Sequence, residues 1–276
     1  MLNHDLAGAM RRAVAAQRRL FAETTTIPGR TVYEGVGEGG DHTLKIDRQC
    51  EDAVFEELEK LHADGAEFTV VSEERGEVVF GDGSSPWHVI VDPIDGSLNA
   101  RRTMPPHSVS IAVASGPTMA DVEWGFVHDF GADDEFLAAR GKGAELNGRP
   151  VRAEGPSYGL EVIGLESADP ERIAPVVEAL QGKAYRIRAI GSIAITLSYV
   201  AAGRLDAMLS ARGCRSVDVA AAQLIAREAG ARVAFAGLEL GQATLDLNAR
   251  YRVAAGLDDE MLATALEAQS VAGEKG

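Results

Sequence analysis

A chain of 276 residues with 46% hydrophobic content is long enough for one large domain or two closely packed halves around a sizeable core. Its formal charge of −15 excludes nucleic acid as the main ligand, because a phosphate polyanion is repelled without a basic stripe. No apolar run approaches the ~20 residues of a membrane-spanning helix. Two cysteines, Cys50 and Cys214, are too few for a disulfide framework and show no metal-type spacing, so they read as buried packing residues.

The opening MLNHDLAGAMRRAV lacks the basic-then-apolar order of a signal peptide, and a cytoplasmic protein is expected. Only five of the 27 basic residues are lysine, against 42 acidic residues. That balance fits either salt adaptation or an arginine-rich genome with an ordinary acidic surface. An anionic substrate must in either case be met by metal ions or local arginines.

Leu6, Met10, Ala13, Val14, Leu20 and Phe21 repeat at helical spacing and predict an amphipathic helix over about 3–23. Gly35-Val36-Gly37-Glu38-Gly39-Gly40 matches GxGxxG by letter, but it follows no convincing strand and opens no helix. It reads as a flexible loop whose glycines permit movement over a substrate, not as a dinucleotide site. Cys50, Ala53, Val54, Leu58 and Leu61 set the next helix, with Asp47 near its start, where an acid serves as a cap or as a catalytic group. Residues 67–72 form a strand ending at Glu73-Glu74, which is either a solvated acidic turn or a pair of ligands on the rim of a sheet. Residues 81–86 are a loop by composition.

Val89, Ile90 and Val91 make a buried strand that stops at Asp92, followed by Pro93-Ile94-Asp95-Gly96-Ser97. Asp92 and Asp95 are close enough to converge on one point, where two carboxylates repel unless a cation lies between them. The Ile94 carbonyl adds a hard oxygen, and the set suits Mg²⁺. The Gly96 and Ser97 N–H groups, where a helical turn begins, offer a phosphate seat. The alternative is an ordinary Asp-Pro and Asp-Gly turn.

Residues 108–115, 122–127 and 135–139, with a turn at 141–148, read as a β meander. Residues 158–165 are a strand, 170–180 helical and 185–190 extended, and the helix over 193–202 is closed by Gly203. A strand over 205–209 precedes a helix opened by Ser216-Val217-Asp218 and apolar almost all round, hence buried. Closing strands fall at 231–234 and 252–255, a last helix at 258–269, and a frayed tail over 270–276. The fold class is α+β, a single domain in two halves of about 1–150 and 151–276.

Taken together, SEE at 72–74, DPIDGSLN at 92–99, GKGAELNG at 141–148, GSIAITLSYVAAGRLDA at 191–207 and VDVAAAQLIAREAG at 217–230 resemble the inositol monophosphatase superfamily, from Thr43 to the C-terminus. GGDHTLKID and ARGCRSVD look closest to its archaeal branch, whose members often hydrolyse both inositol monophosphate and fructose 1,6-bisphosphate. The resemblance implies a layered αβαβα sandwich, a homodimer, lithium sensitivity and a small phosphorylated metabolite as substrate, with no nucleic acid or membrane partner.

It also implies two to three Mg²⁺ ions: one on Glu73, Asp92 and the Ile94 carbonyl, a second on Asp92, Asp95 and Asp218, and a third on Glu73 and waters. Ser97 stands where the family has threonine, and with Asp47 it would orient and deprotonate the attacking water. Gly96, Ser97, Gly191 and Ser192 would hold the phosphate or substrate. Arg188, Arg212 and Arg215 are either surface arginines or the seat of a second phosphate. Ala211 occupies the place of a glutamate that binds ring hydroxyls in animal-type members, and Val217 replaces a tryptophan, so strict inositol specificity is not implied. The other readings are a 3′-phosphoadenosine 5′-phosphate or NADP(H) phosphatase of the same superfamily, and a catalytically silent sugar-phosphate-binding homologue. A calcium-binding module fails for want of EF-hand spacing.

Overall fold

Two stripes of apolar residues at helical spacing give the first half of the chain its backing layer. Helix α1 (Leu6–Glu23) begins where Asp5 accepts a hydrogen bond from the Gly8 N–H, and it buries Leu6, Ala9, Met10, Ala13, Val14 and Phe21. A short α2 (Ile27–Arg30) and a ribbon of β1 (Tyr33–Val36) and β2 (His42–Leu44) lead into α3 (Lys45–Ala63). The computed structural model describes residues 1, 4–38, 42–155, 159–167 and 169–272. Gly35 and Val36 are therefore strand, not loop, because they pair with β2. Gly39 and Gly40, Tyr158 at the head of the strand expected over 158–165, residue 3 of the first helix and the last four residues of the tail lie outside the described residues.

The sheet follows as β3 (Phe68–Ser72), β4 (Gly76–Phe80), β5 (His88–Asp95), the short helix α4 (Ser97–Arg101), β6 (Ser108–Ala114), β7 (Val122–Asp129), β8 (Asp134–Ala139), β9 (Gly143–Leu146) and β10 (Arg149–Val151). These eight strands lie in the order β10-β9-β8-β7-β6-β5-β3-β4, and only β3 and β5 are parallel neighbours. Three strands of this sheet were not expected: β4, β9 inside the turn at 141–148, and β10 directly after it. Strand β5 also does not stop at Asp92. It runs to Asp95, with a shift of register between the Asp92–Ser110 and Asp95–Ser108 pairs, so the acidic loop is a kinked strand held to β6.

The second half supplies β11 (Leu160–Glu166), α5 (Pro170–Ala179), β12 (Ala184–Arg188), α6 (Ile193–Ala201), β13 (Ala207–Ser210), β14 (Cys214–Arg215), α7 (Ser216–Glu228), β15 (Arg232–Phe235), β16 (Arg250–Tyr251), β17 (Val253–Gly256) and α8 (Asp259–Ser270). Its five-stranded sheet has the order β12-β11-β13-β17-β15, and β14 and β16 pair as a separate ribbon.

Strand alternation builds the layers. Val70, Val89, Val91, Val109, Ile111 and Phe126 face α1 and α3, whereas Val71, Ile90, Ala112 and Val127 face α6 and α7. Met208, Val253 and Ala255 cover α6 and α7 from the second sheet, and Leu209 and Ala254 turn outward to α5 and α8. The result is the αβαβα sandwich. The central helix α7 sits close enough to β7 that a Cβ on Gly125 would lie 2.8 Å from the Ala221 carbonyl oxygen, which is why glycine occupies that place. Cys50 and Cys214 are buried and free. Among the described residues no helix is long and apolar enough to cross a membrane.

One buried histidine ties acid stability to this packing. His128 is 4% exposed, and Arg18 Nη2 lies 3.0 Å from its Nε2. Burial first, and the Arg18 charge second, hold its pKa down to about 4. The unfolded chain protonates this ring near pH 6.5, so the neutral ring stabilises the fold above that pH, and the contribution is lost as pH falls through 6.5 toward 4. Chemical denaturation at pH 7 and pH 4 should show wild type losing about 3 kcal/mol more than His128→Gln across this interval; parallel losses would refute the assignment.

Candidate active site

The parallel pairing of β3 with β5 puts Ser72 beside Val91, so the residues that follow, Glu73 and Asp92, emerge side by side. The start of α7 delivers Asp218 to the same point. Carboxylate oxygens of Glu73, Asp92 and Asp218 all lie within 4.8 Å of one another. Asp92 is 1% exposed, and its Oδ1 accepts the Ile94 N–H at 3.0 Å. Asp218 Oδ2 accepts the Arg215 N–H at 2.8 Å.

Burial and mutual repulsion raise the proton affinity of the whole group. Asp92 is pushed well above the usual carboxylate range by burial and then by Glu73, Asp95 and Asp218. Burial, opposed by Arg215, lifts Glu73 to about 8; burial and Asp218 lift Asp95 to about 7; and burial raises Asp218. Crowded buried carboxylates are made compatible by cations. Arg215 supplies one positive group, its Nη1 donating to Glu73 Oε1. The donors are all oxygen, the chemistry of a hard divalent ion, and the residues present fit Mg²⁺.

Asp95 stands apart from the trio, since its Oδ2 accepts the Ser192 hydroxyl and the Ala194 N–H, each at 2.6 Å, and so caps α6. Ile94 anchors the loop, its side chain buried with Phe21, Leu44, Ile46, Cys50 and Ala100. Gly96 has φ 89°, and a Cβ there would lie 3.0 Å from the Gly191 carbonyl oxygen, so the turn requires glycine.

Asp47 caps α3 and lines a recess beside the acidic trio. As the third residue of α3 it accepts the Leu44 N–H on Oδ2 at 3.0 Å, while its Oδ1 is buried without a hydrogen-bond partner. Burial, helped by Glu74 and opposed by the Leu44 N–H and Arg101, raises its pKa to about 7. A recess of about 230 Å³ brings Asp47, Glu73, Ile94, Ser97 and Arg101 together. A carboxylate with that proton affinity beside an exposed hydroxyl is suited to accept a proton near neutral pH.

A larger cleft of about 710 Å³ adjoins it, with Asp95, Asp218, Gly191, Arg212 and Arg215 on its walls. Arg188 is not on those walls; it is exposed at the end of β12, where its Nη1 donates to the Ile187 carbonyl. Gly191 lines the cleft and Ser192 is buried beside it, but the Gly191 N–H is engaged on Glu166 at 3.0 Å and the Ser192 Oγ on Asp95. Sequence reasoning missed three cleft residues. Arg250 arrives because β14 and β16 pair Arg215 with Arg250. Asn99 donates from Nδ2 to the carbonyls of Ile190 and Pro106. Glu166 closes a largely apolar strand, the pattern that drew attention to Asp92, and this was its available signal.

The chain matches the inositol monophosphatase family over residues 4–271. It is 34% identical over 210 residues to a fructose-1,6-bisphosphatase/inositol-1-monophosphatase of Methanothermobacter thermautotrophicus, covering 71% of each chain. With the protein of that name from Thermococcus kodakarensis it shares 33% over 235 residues, 85% of each chain. A solved inositol monophosphatase-fructose 1,6 bisphosphatase superposes with a TM-score of 0.83 at 26% identity, covering 96% of this chain and 100% of that one. The suhB extragenic suppressor protein of Bartonella henselae superposes with a TM-score of 0.78 at 27% identity, covering 99% and 100%. On sequence and on fold, this chain belongs to the inositol monophosphatase family.

Proposed function

We propose that the chain is a Mg²⁺-dependent phosphomonoesterase of small polyol and sugar phosphates, with inositol 1-phosphate and fructose 1,6-bisphosphate as its substrates. The observation that carries this reading is the oxygen trio of Glu73, Asp92 and Asp218. Asp218 lies on the wall of a cleft edged by arginines, and Glu73 on the wall of the Asp47 recess.

Glu73, Asp92, Asp95, Asp218 and the Ile94 carbonyl would hold two to three Mg²⁺. Bound ions supply Lewis-acid charge to the phosphoryl oxygens and the leaving alkoxide. Asp47 takes the proton of the attacking water, which the Ser97 hydroxyl orients as the water oxygen bonds phosphorus and the bond to the leaving oxygen breaks. The Gly96 and Ser97 N–H groups hold the phosphate. Arg215 is engaged with Glu73, so Arg212 and Arg250 are the cations left for a second phosphate, which their forked geometry suits. Relatives named fructose-1,6-bisphosphatase/inositol-1-monophosphatase support this substrate pair. A second reading, a role without turnover, draws on relatives named Nus factor SuhB, one of them 34% identical over 201 residues.

Asp92→Asn relieves like-charge burial, so its melting temperature without divalent ions should equal or exceed that of wild type. Its Mg²⁺-induced stabilisation and its turnover should fall roughly a hundredfold or more. Wild-type turnover in this variant would remove Asp92 from the site. Asp47→Asn should keep Mg²⁺ binding by calorimetry while kcat drops by about 10²–10⁴; loss of Mg²⁺ binding instead would make Asp47 a ligand and not the base. Phosphate release from inositol 1-phosphate, fructose 1,6-bisphosphate, 3′-phosphoadenosine 5′-phosphate and NADP should be confined to the first two. Cleavage of the nucleotides alone would transfer the substrate assignment to them, and no cleavage at any salt would favour the role without turnover.

A further inference from the structure

One buried carboxylate on the cleft wall has no part in the reaction proposed above. Glu166, the last residue of β11, is 2% exposed, and its side chain accepts three hydrogen bonds. Its Oε1 receives the Ile190 N–H at 3.1 Å and the Thr196 hydroxyl at 2.7 Å, and its Oε2 receives the Gly191 N–H at 3.0 Å. Asn99 grips the same segment from the first half of the chain, its Nδ2 donating to the Ile190 carbonyl at 2.7 Å. Gly191, at φ 85°, packs so tightly there that a Cβ would lie 2.8 Å from Asn99 Nδ2. Asp95 completes the hold on Ser192 and Ala194. Residues 190–194 are thus clamped between the two halves, and Asn99, Glu166, Ile190 and Gly191 all line the cleft.

We infer that Glu166 is a positioning residue for the leaving group: by holding the Ile190 and Gly191 amides it fixes the wall on which the polyol body of the substrate is seated. The inference rests on the phosphatase reading. A carboxylate suits the place because it offers acceptors only, and its three partners can all donate. In Glu166→Gln one oxygen becomes an NH₂ group, and either orientation sets it against the backbone N–H of Ile190 or of Gly191, each part-buried at the cleft wall. Two donors facing each other there are unfavourable enough to shift the segment. The trio of Glu73, Asp92 and Asp218 is held from β3, β5 and α7, and Asp95 keeps its own hold on Ser192 and Ala194, so the larger effect should fall on leaving-group binding and the smaller on the phosphate end.

The test compares wild type, Glu166→Gln and Asn99→Ala on inositol 1-phosphate and on 4-nitrophenyl phosphate, whose leaving group carries no ring hydroxyls and needs little help to depart. Amide hydrogen exchange over residues 188–195 and 92–97 is followed on the same samples. Both variants should raise KM for inositol 1-phosphate roughly tenfold with kcat changed by less than about threefold, and leave 4-nitrophenyl phosphate within about threefold. Exchange should quicken over 188–195 and stay unchanged over 92–97. An unchanged KM, an equal loss on both substrates, or unchanged exchange over 188–195 would overturn the inference. Asn99→Ala acts on the same segment from the opposite side and decides the matter if Glu166→Gln does not fold. Should wild type cleave neither compound, the phosphatase reading falls, while the exchange rates still judge the clamp.

Discussion

Like charges crowded where the first sheet meets the central helix α7 are the constraint that organises this molecule. Glu73, Asp92 and Asp218 arrive from β3, β5 and α7, three elements that must each be rigid for their oxygens to stay within 4.8 Å of one another. Repulsion at that separation would open a softer structure. The closing force comes from the apolar faces behind the acids: Val70, Val89 and Val91 against α1 and α3, and Ile90 and Val71 against α6 and α7. The site is thus set against two apolar layers of the core. Binding of a divalent ion would convert the repulsion into attraction, so folding and ion binding are coupled through the same side chains.

Small residues let the layers meet. α7 carries Ala220, Ala221, Ala222 and Ala226, all buried, and rests on Gly125 of β7. Its depth between the sheets brings Asp218 down to the level of Asp92. On the other flank Asp95 caps α6 from across the domain, which makes a single carboxylate both a brace between the halves and a neighbour of the acidic trio. The kink in β5 between Asp92 and Asp95 allows both roles, since the shift of register turns the two side chains to different partners.

Charge is divided along the cleft. Carboxylates gather where β3, β5 and α7 meet, and arginines lie along the ribbon of β14 and β16. Arg215 belongs to both, because its N–H serves Asp218 and its guanidinium serves Glu73. In a chain of net charge −15, these arginines form a local positive patch on the cleft wall.

Local pattern determined a great deal of this protein. The period of 3.6 residues placed α1 and α3, a start at Ser216-Val217-Asp218 and an apolar run placed α7, the apolar run at 89–91 placed β5, and DPIDGS marked the acidic loop because Asp, Pro, Gly and Ser in that order have few ways to fold. Asp47 was legible as a cap because capping is a matter of three residues. What depends on distant pairing was not legible. Strand β4 and the ladder that carries β5 to Asp95 exist because neighbours complete their hydrogen bonds. Arg215 was expected either on the surface or near a substrate phosphate, and it is joined to Glu73, 142 positions earlier in the chain. Arg250, Asn99 and Glu166 enter the site through sheet pairing and loop packing. A sequence specifies which residues have the chemistry for a site; which of them share one cavity is decided by contacts between segments far apart in the chain, and no local spacing encodes those.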